Sequence, residues 1–167
     1  MRVTLTESVL AESMRIPGER TNTRGLSMRL TPHLTFPGHC EAAFNFYEAC
    51  QVGKVVTMVR YGDSPLREQT SSEWRKKVLH ATMTVGTGEL VGADVLVEEY
   101  QPPQGFFVLL TTDEVGEAQR VFQSLAEEGT VLMAAQKTFW SPCFGVLVDR
   151  FGIPWEVSCE QKPARPE

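Results

Sequence analysis

Hydrophobic positions along the chain follow two spacings, one typical of strands and one typical of amphipathic helices. In the first half, apolar residues alternate with polar ones in short runs, and once they recur three and four positions apart. The elements that this pattern predicts are a strand over 30–36, a helix over 40–50, and strands over 54–61, 79–85 and 89–95. The last two strands flank Gly86-Thr87-Gly88, which predicts a hairpin turn. The first half is therefore predicted to be a βαβββ unit.

The second half of the chain repeats this order of elements. It predicts a strand over 106–112, a helix over 115–127, and strands over 130–135, 144–149 and 154–159. The residues that recur at one constant spacing are Ala42, Phe46 and Gly53 in the first half and Ala118, Phe122 and Gly129 in the second. A constant spacing across a helix and its stop indicates an internal repeat. The long loop over 62–77 occurs in the first half and has no counterpart of that length in the second. The spacing is therefore shorter for the later hairpin, where Gly152 matches Gly88.

The predicted fold class is α+β, with two paired βαβββ modules that form a half-open barrel around a concave ligand cleft. The alternative is a pair of ferredoxin-like units with no shared cleft. A chain of 167 residues is close to the roughly 150 residues of one domain. Module one is expected over 28–97 and module two over 105–160. Residues 1–27 are predicted to be a flexible extension and 161–167 a polar tail.

Composition and charge narrow the classes of function. The chain carries 16 Lys and Arg against 21 Asp and Glu, for a net charge of −5, and no basic cluster that would favour a nucleic-acid partner. Its apolar runs are far shorter than the roughly 20 residues of a membrane span. No secretory signal is visible in the first 27 residues. We therefore predict a cytoplasmic protein without nucleic-acid or membrane partners.

Several segments carry a family resemblance. They are Leu30-Thr-Pro-His-Leu-Thr-Phe36, Gly38-His-Cys-Glu-Ala-Ala-Phe-Asn-Phe-Tyr47, Met58-Val-Arg-Tyr-Gly-Asp63, His80-Ala81, Thr138-Phe-Trp140, Phe144-Gly145 and Asp149-Arg-Phe-Gly-Ile-Pro-Trp155. Through them the sequence resembles the PhnB-like branch of the vicinal-oxygen-chelate superfamily, which includes glyoxalase I, bleomycin-resistance proteins and extradiol dioxygenases. Some members of this branch are labelled ubiquinone-biosynthesis methyltransferases. No strand of this sequence, however, ends in the glycine-rich turn that a Rossmann-type methyltransferase uses.

The resemblance implies where a divalent metal would bind if this chain used one. In metal-dependent members four inward side chains hold the ion, and alignment places those positions at Pro32, Gly92, Phe107 and Glu156. Only Glu156 can ligate a metal, and one carboxylate does not hold a transition metal ion. A shift of one residue would offer His33 but lose Glu156. We therefore predict no metal site and no cofactor.

Glu156 and His80 are the candidate catalytic residues. Glu156 lies between apolar neighbours in the last strand, so an inward carboxylate would suit a general base or an anchor for a ligand amine. It could instead pair with an arginine or lie at the rim. His80 opens the third strand and would supply a polar group at the cleft mouth, or simply be a hydrogen-bonded histidine at a strand end. Trp155 alternates with Glu156 and is predicted to face the helix layer.

The candidate ligand-binding residues are Asp94, Trp140 and Phe107. Asp94 shares a strand face with Gly92 and could supply a second carboxylate, or start the turn that follows. Trp140 could form a stacking wall for a planar ligand, or a core or dimer contact. Phe107 is counted with them because it occupies one of the family's inward positions.

The leading hypothesis is a PhnB-like protein that binds an unidentified small molecule, and the sequence leaves open whether it is an enzyme. One alternative is a metal-dependent lyase, isomerase or dioxygenase using His80, Asp94 and Glu156. Another is sequestration of an antibiotic or toxic metabolite. The resemblance also implies a homodimer.

The last hairpin gives a test of register. A three-residue turn at Arg150-Phe151-Gly152 places Cys143 directly opposite Cys159, with Cβ atoms about 4.5–5.5 Å apart. We expect this pair to be reduced in a cytoplasmic protein. The same register decides which face of its strand Glu156 occupies.

Overall fold

The computed structural model describes residues 28–160, and the expectations for 1–27 and 161–167 lie outside the described residues. Module one consists of β1 (His33–Phe36), α1 (Cys40–Ala49), β2 (Lys54–Arg60), β3 (Val78–Val85) and β4 (Gly88–Asp94). Module two consists of β5 (Val108–Thr112), α2 (Val115–Leu125), β6 (Thr130–Gln136), β7 (Phe144–Val148) and β8 (Pro154–Cys159). The order of elements predicted from the sequence is confirmed.

Each module forms its own four-stranded sheet. The strand orders are β1-β4-β3-β2 and β5-β8-β7-β6. In both sheets the first strand pairs in parallel with the last strand of its module, and the other pairs are antiparallel. The predicted α+β class with two βαβββ modules is thus confirmed. Among residues 28–160 no sheet closes into a barrel.

Within each module, the chain that follows the helix passes very close to the sheet. A Cβ atom placed on Gly53 would overlap the carbonyl oxygen of Thr84 in β3, and one on Gly129 would lie 2.5 Å from the carbonyl oxygen of Val148 in β7. These two pairs hold equivalent places in their modules. The glycines therefore do more than end the helices, because the chain passes so close to the sheet that a side chain does not fit.

Alanine at Gly53 is expected to cost about 1–3 kcal/mol, since the added methyl group meets backbone that cannot move aside cheaply. Thermal unfolding of Gly53→Ala should show a melting temperature lower by at least about 4 °C. Gly88→Ala is the matched control, because the nearest atom to its new Cβ would be 3.6 Å away. Equal melting temperatures for the two variants would contradict this explanation of Gly53.

The helix-facing sides of both sheets contribute to one hydrophobic core. Both helices pack on their own sheets, and α1 also reaches module two through Tyr47, whose ring lies 5.2 Å from that of Trp155. Phe151, in the β7–β8 turn, packs against Phe36 and Phe46. The modules are therefore joined by aromatic contacts on the helix side, while the opposite faces of the sheets are only partly covered.

The register of the last hairpin agrees with the prediction. Val148 pairs with Pro154 and Phe144 with Ser158, and the amide of Cys159 donates to the carbonyl oxygen of Cys143 at 2.8 Å. Both cysteines are buried and free, and burial raises the pKa of the Cys143 thiol. A thiol with a raised pKa is a poor nucleophile, which favours a structural role for this pair.

Candidate functional site

The face of the second sheet that points away from α2, called here the open face, carries Glu156. Along β8, Trp155, Val157 and Cys159 are buried on the helix side, while Glu156 and Ser158 between them are partly exposed. Side chains alternate along a strand, so Glu156 lies on the side opposite the core. Trp155 faces the helix layer and is fully buried, as predicted.

The surroundings of Glu156 are largely apolar. Its neighbours across the sheet are Leu109 on β5 and Val146 on β7, which share its face. Among residues 28–160 its carboxylate has neither a hydrogen bond nor an ion pair. The carboxylate is therefore free to accept a hydrogen bond from a donor on a ligand.

An aromatic group stands at one end of the same face. Phe144 lies opposite Ser158 and so shares the open face. Trp140, in the loop before β7, packs edge-on against Phe144 with ring centroids 5.5 Å apart, and Phe139 packs against Trp140 at 4.5 Å. Phe139 and Trp140 remain 97% and 57% exposed. The structure therefore brings Trp140 to the sheet face that carries Glu156.

Phe107 lies just before β5 rather than within it, which differs from the strand predicted over 106–112. Pairing with β8 begins at Val108, and the preceding Gly105 adopts φ +75°. That left-handed conformation turns the chain away from extended geometry. Phe107 is 44% exposed, two residues before Leu109.

His80 lies on the helix-free face of the first sheet. Its Nε2 is 3.0 Å from the hydroxyl of Thr82, two residues along β3. The His33 ring lies 6.4 Å away, with the two rings at 77°. The family alignment placed Pro32 rather than His33 on the inward face, and this is wrong. Because Leu34 is buried on the helix side, His33 lies on the helix-free face of the first sheet.

Burial lowers the pKa of both imidazoles. For His80 the cause is burial alone, and for His33 burial is followed by repulsion from His80. Because both values lie below the ordinary 6.5, the rings are mainly uncharged at neutral pH. An uncharged imidazole can both donate and accept a hydrogen bond, which suits a polar group facing a ligand.

Asp94 lies on the helix side of its sheet and therefore does not lie in the cleft. It is 1% exposed, and its carboxylate accepts hydrogen bonds from the amides of Cys40 and Val78, both at 2.8 Å. Gly92 shares this face, where a Cβ would strike the ring of Phe44. Asp94 therefore caps the N-terminus of α1 from a neighbouring strand. His39, at the N-cap position, makes no capping bond with its side chain.

These placements bear on the predicted metal chemistry. Asp94 faces α1, whereas His80 and Glu156 lie on helix-free faces, so the set of three proposed as an alternative is not assembled. Within the described part of the chain no three His, Cys, Asp or Glu side chains come together as ligands. We expect purified protein to hold less than one Zn²⁺, Ni²⁺, Mn²⁺ or Fe²⁺ per chain by elemental analysis. One tightly held ion per chain, lost in Glu156→Ala, would contradict this.

The sequence analysis missed a buried carboxylate. Asp149, 4% exposed, accepts hydrogen bonds from the hydroxyl of Tyr47, the indole of Trp155 and the amides of Phe151 and Ile153. The signal that was available is an aspartate at the start of a tight turn ending in glycine, where its side chain commonly binds amides two residues on. The bond from Tyr47 crosses between the modules, and no local pattern reveals it.

The architecture and the sheet faces together define a class. Two βαβββ modules with parallel outer pairs and helices on one side form the fold of the glyoxalase and bleomycin-resistance proteins, and such proteins are among the solved structures that this chain resembles. The chain belongs to the family described as 3-demethylubiquinone-9 3-methyltransferase, whose model matches residues 28–158. The predicted resemblance to the PhnB-like branch is confirmed.

Individual relatives agree with this assignment. Protein PA1353 from Pseudomonas aeruginosa is 37% identical in sequence and superposes with a TM-score of 0.73, over 81% of this chain and 100% of that one. The PhnB protein from Bacillus cereus, described as a putative 3-demethylubiquinone-9 3-methyltransferase, is 26% identical, with a TM-score of 0.66 over 79% and 99% of the two chains. Protein YjdN of Escherichia coli K12 is 29% identical in an alignment of 147 residues that covers 83% of this chain and 100% of YjdN.

One further finding concerns membranes. None of the helices in residues 28–160 is both long enough and apolar enough to span a bilayer.

Proposed function

We propose that this protein binds a small molecule on the open face of the second sheet, with Glu156 as its polar anchor. The observation that carries the proposal is the unpartnered carboxylate on an apolar sheet face, between Leu109 and Val146. A binding site of this kind combines apolar walls with a few polar groups that fix orientation. Leu109 is 53% exposed, so apolar area is available to a ligand.

The chemistry of the face indicates the class of ligand. A carboxylate binds an amine or a hydroxyl, or takes a proton from an acidic C–H bond next to a carbonyl. The Trp140 and Phe144 rings offer a wall for a planar or apolar part of the same molecule. The proposal includes His80, on the helix-free face of the first sheet, as a second polar group that contacts the ligand. Methyl transfer is not part of it, because residues 28–160 form mixed sheets rather than the parallel sheet of a Rossmann-type enzyme.

A thermal-shift screen against small amines and carbonyl compounds tests the proposal. Compounds that stabilise the wild-type protein should lose most of their effect in Glu156→Gln, which keeps the size of the side chain but removes its charge. Glu160→Gln is the control, since Glu160 is exposed just beyond β8. Compounds that stabilise both variants as well as the wild type would overturn the assignment of Glu156. Assays of each hit for turnover would separate an enzyme from a sequestering protein.

We also propose that the protein is a homodimer. The exposed Phe139 and Trp140 rings and the partly exposed Phe144 ring form an aromatic group of the kind that anchors protein interfaces. Light scattering should give twice the chain mass of 18.7 kDa at micromolar concentrations, and Trp140→Ala should shift the equilibrium toward the monomer. A mass of one chain for the wild type across that range would contradict the proposal.

A further inference from the structure

A cavity lies away from the open face, under the loop that joins β2 to β3. It has a volume of about 210 Å³, and its lining includes Tyr61, Leu66, Thr70, Trp74 and Glu99. This loop spans 61–77, whereas the equivalent connection in module two spans only 137–143. Most of its lining therefore comes from the part of module one that the repeat does not require, and the rest comes from Val95, Leu96 and Glu99 in the segment after β4.

The loop that builds the cavity is held in place by its own hydrogen bonds. The Nε of Arg75 donates to the carbonyl oxygens of Arg67 and Thr70, at 2.9 and 3.1 Å. The amide of Tyr61 donates to the carbonyl oxygen of Lys77 at 3.0 Å, which closes the base of the loop. Gly62 lets the chain approach Arg75, whose carbonyl oxygen would lie 2.9 Å from an added Cβ. These bonds pre-organise the cavity, and a pre-organised site loses less entropy on binding.

Two aromatic rings form one side of the cavity. The Tyr61 and Trp74 rings lie 6.2 Å apart and are tilted by 54°, and Leu66 beside them is 7% exposed. The Tyr61 hydroxyl donates to the backbone carbonyl of Asp94 at 3.2 Å, which fixes its ring. Burial raises the pKa of Tyr61, so its hydroxyl keeps its proton at neutral pH. The ring therefore presents an uncharged aromatic surface.

Glu99 is the one charged residue among those that line this cavity, and the other polar lining residues, such as Thr70, are uncharged. Its charge reaches the Tyr61 ring, where it helps to hold the pKa of the hydroxyl up. A cavity with aromatic rings and a single carboxylate matches a cation with an apolar surface, because rings attract cations through their faces and the carboxylate supplies the opposite charge. A small anion would meet no compensating charge in the lining.

We propose that this loop cavity binds a small organic cation of the alkylammonium class, with Tyr61 and Trp74 against its methyl groups and Glu99 against its charge. The proposal does not depend on Glu156 or on a ligand at the open face. The loop cavity would thus be a binding site separate from the one proposed on the sheet of module two.

Calorimetric titration with choline, and with dimethylbutanol as its uncharged carbon isostere, tests the proposal at constant ionic strength. Choline should bind the wild-type protein at least about fivefold more tightly than dimethylbutanol. Glu99→Gln should reduce that difference, because the rings alone then attract the charge. Trp74→Leu should weaken choline binding by a similar factor, and circular dichroism checks that this variant is folded.

Glu98→Gln is the matched control, since Glu98 is exposed beside Glu99 but does not line the cavity. It should bind choline as the wild type does. The proposal is overturned if choline does not bind, if dimethylbutanol binds equally well, or if Glu98→Gln loses as much affinity as Glu99→Gln. Because Glu99 is exposed, its variant is expected to fold, and the test does not rest on Trp74 alone.

Discussion

Replacing Asp149 with alanine is expected to lower the free energy of unfolding by about 3–5 kcal/mol, the largest effect of a single substitution considered for this protein. The change removes an acceptor used by four donors: Oδ1 accepts from the amides of Phe151 and Ile153, and Oδ2 from Tyr47 and Trp155. Three of these donors, on Tyr47, Ile153 and Trp155, would be left in a buried setting, where an unmade hydrogen bond costs about 1–3 kcal/mol before relaxation, while the amide of Phe151 is partly exposed. The β7–β8 turn and the contact between modules should weaken together.

Chemical denaturation of Asp149→Ala, Asp149→Asn and Tyr47→Phe measures this effect. Tyr47→Phe removes one donor with its hydroxyl and leaves the carboxylate its other three, so its loss should be only about 1 kcal/mol. Asp149→Asn keeps one oxygen acceptor and should fall between the other two variants. If the free energy of unfolding of Asp149→Ala lay within about 1 kcal/mol of the wild-type value, the carboxylate would not be what joins the modules.

Replacing Asp94 with alanine should cost about 2–4 kcal/mol, the second largest effect. Its two carboxylate oxygens hold the first amide of α1, at Cys40, and the first amide of β3, at Val78. The substitution leaves both amides without their partner and removes a negative charge from the N-terminus of a helix, where it is favourable. The loss should be visible as a lower denaturation midpoint.

His39→Ala is the matched control for Asp94→Ala. His39 occupies the N-cap position of α1, yet its side chain makes no capping bond. Its removal should therefore change the free energy of unfolding by no more than about 0.5 kcal/mol. A larger loss from His39→Ala than from Asp94→Ala would show that the helix is capped by its own sequence neighbour.

The repeat and the last strand could be predicted because their sequence signals are unambiguous. In β8, the large apolar residues Trp155 and Val157 alternate with polar Glu156 and Ser158, so the buried face is evident. The turn at 150–152 fixes the register of the hairpin. Gly53 and Gly129 mark equivalent positions, and the structure adds the reason for glycine at both, which is the approach of the chain to the sheet.

The faces of the first sheet could not be predicted in the same way. Gly92 has no side chain and Ala93 is small, so β4 gives little alternation to indicate which side is buried. The family alignment therefore assigned the wrong face, which put Asp94 in a cleft and left His33 out of it. Contacts made far apart in sequence, such as Asp94 with Cys40 or Tyr47 with Asp149, depend on the assembled fold and leave no local pattern.

The central claim is that a small molecule binds beside Glu156 on the open face of the second sheet. It is tested most directly by methyl NMR of protein labelled at Leu and Val, titrated with the best compound from the thermal-shift screen. Signals of Leu109 and Val146, which flank Glu156, should shift in proportion to occupancy, and those of Val121 and Leu125 in the α2 core should not. Shifts confined to Leu66 and Leu96 at the loop cavity, or unchanged in Glu156→Gln, would contradict the claim.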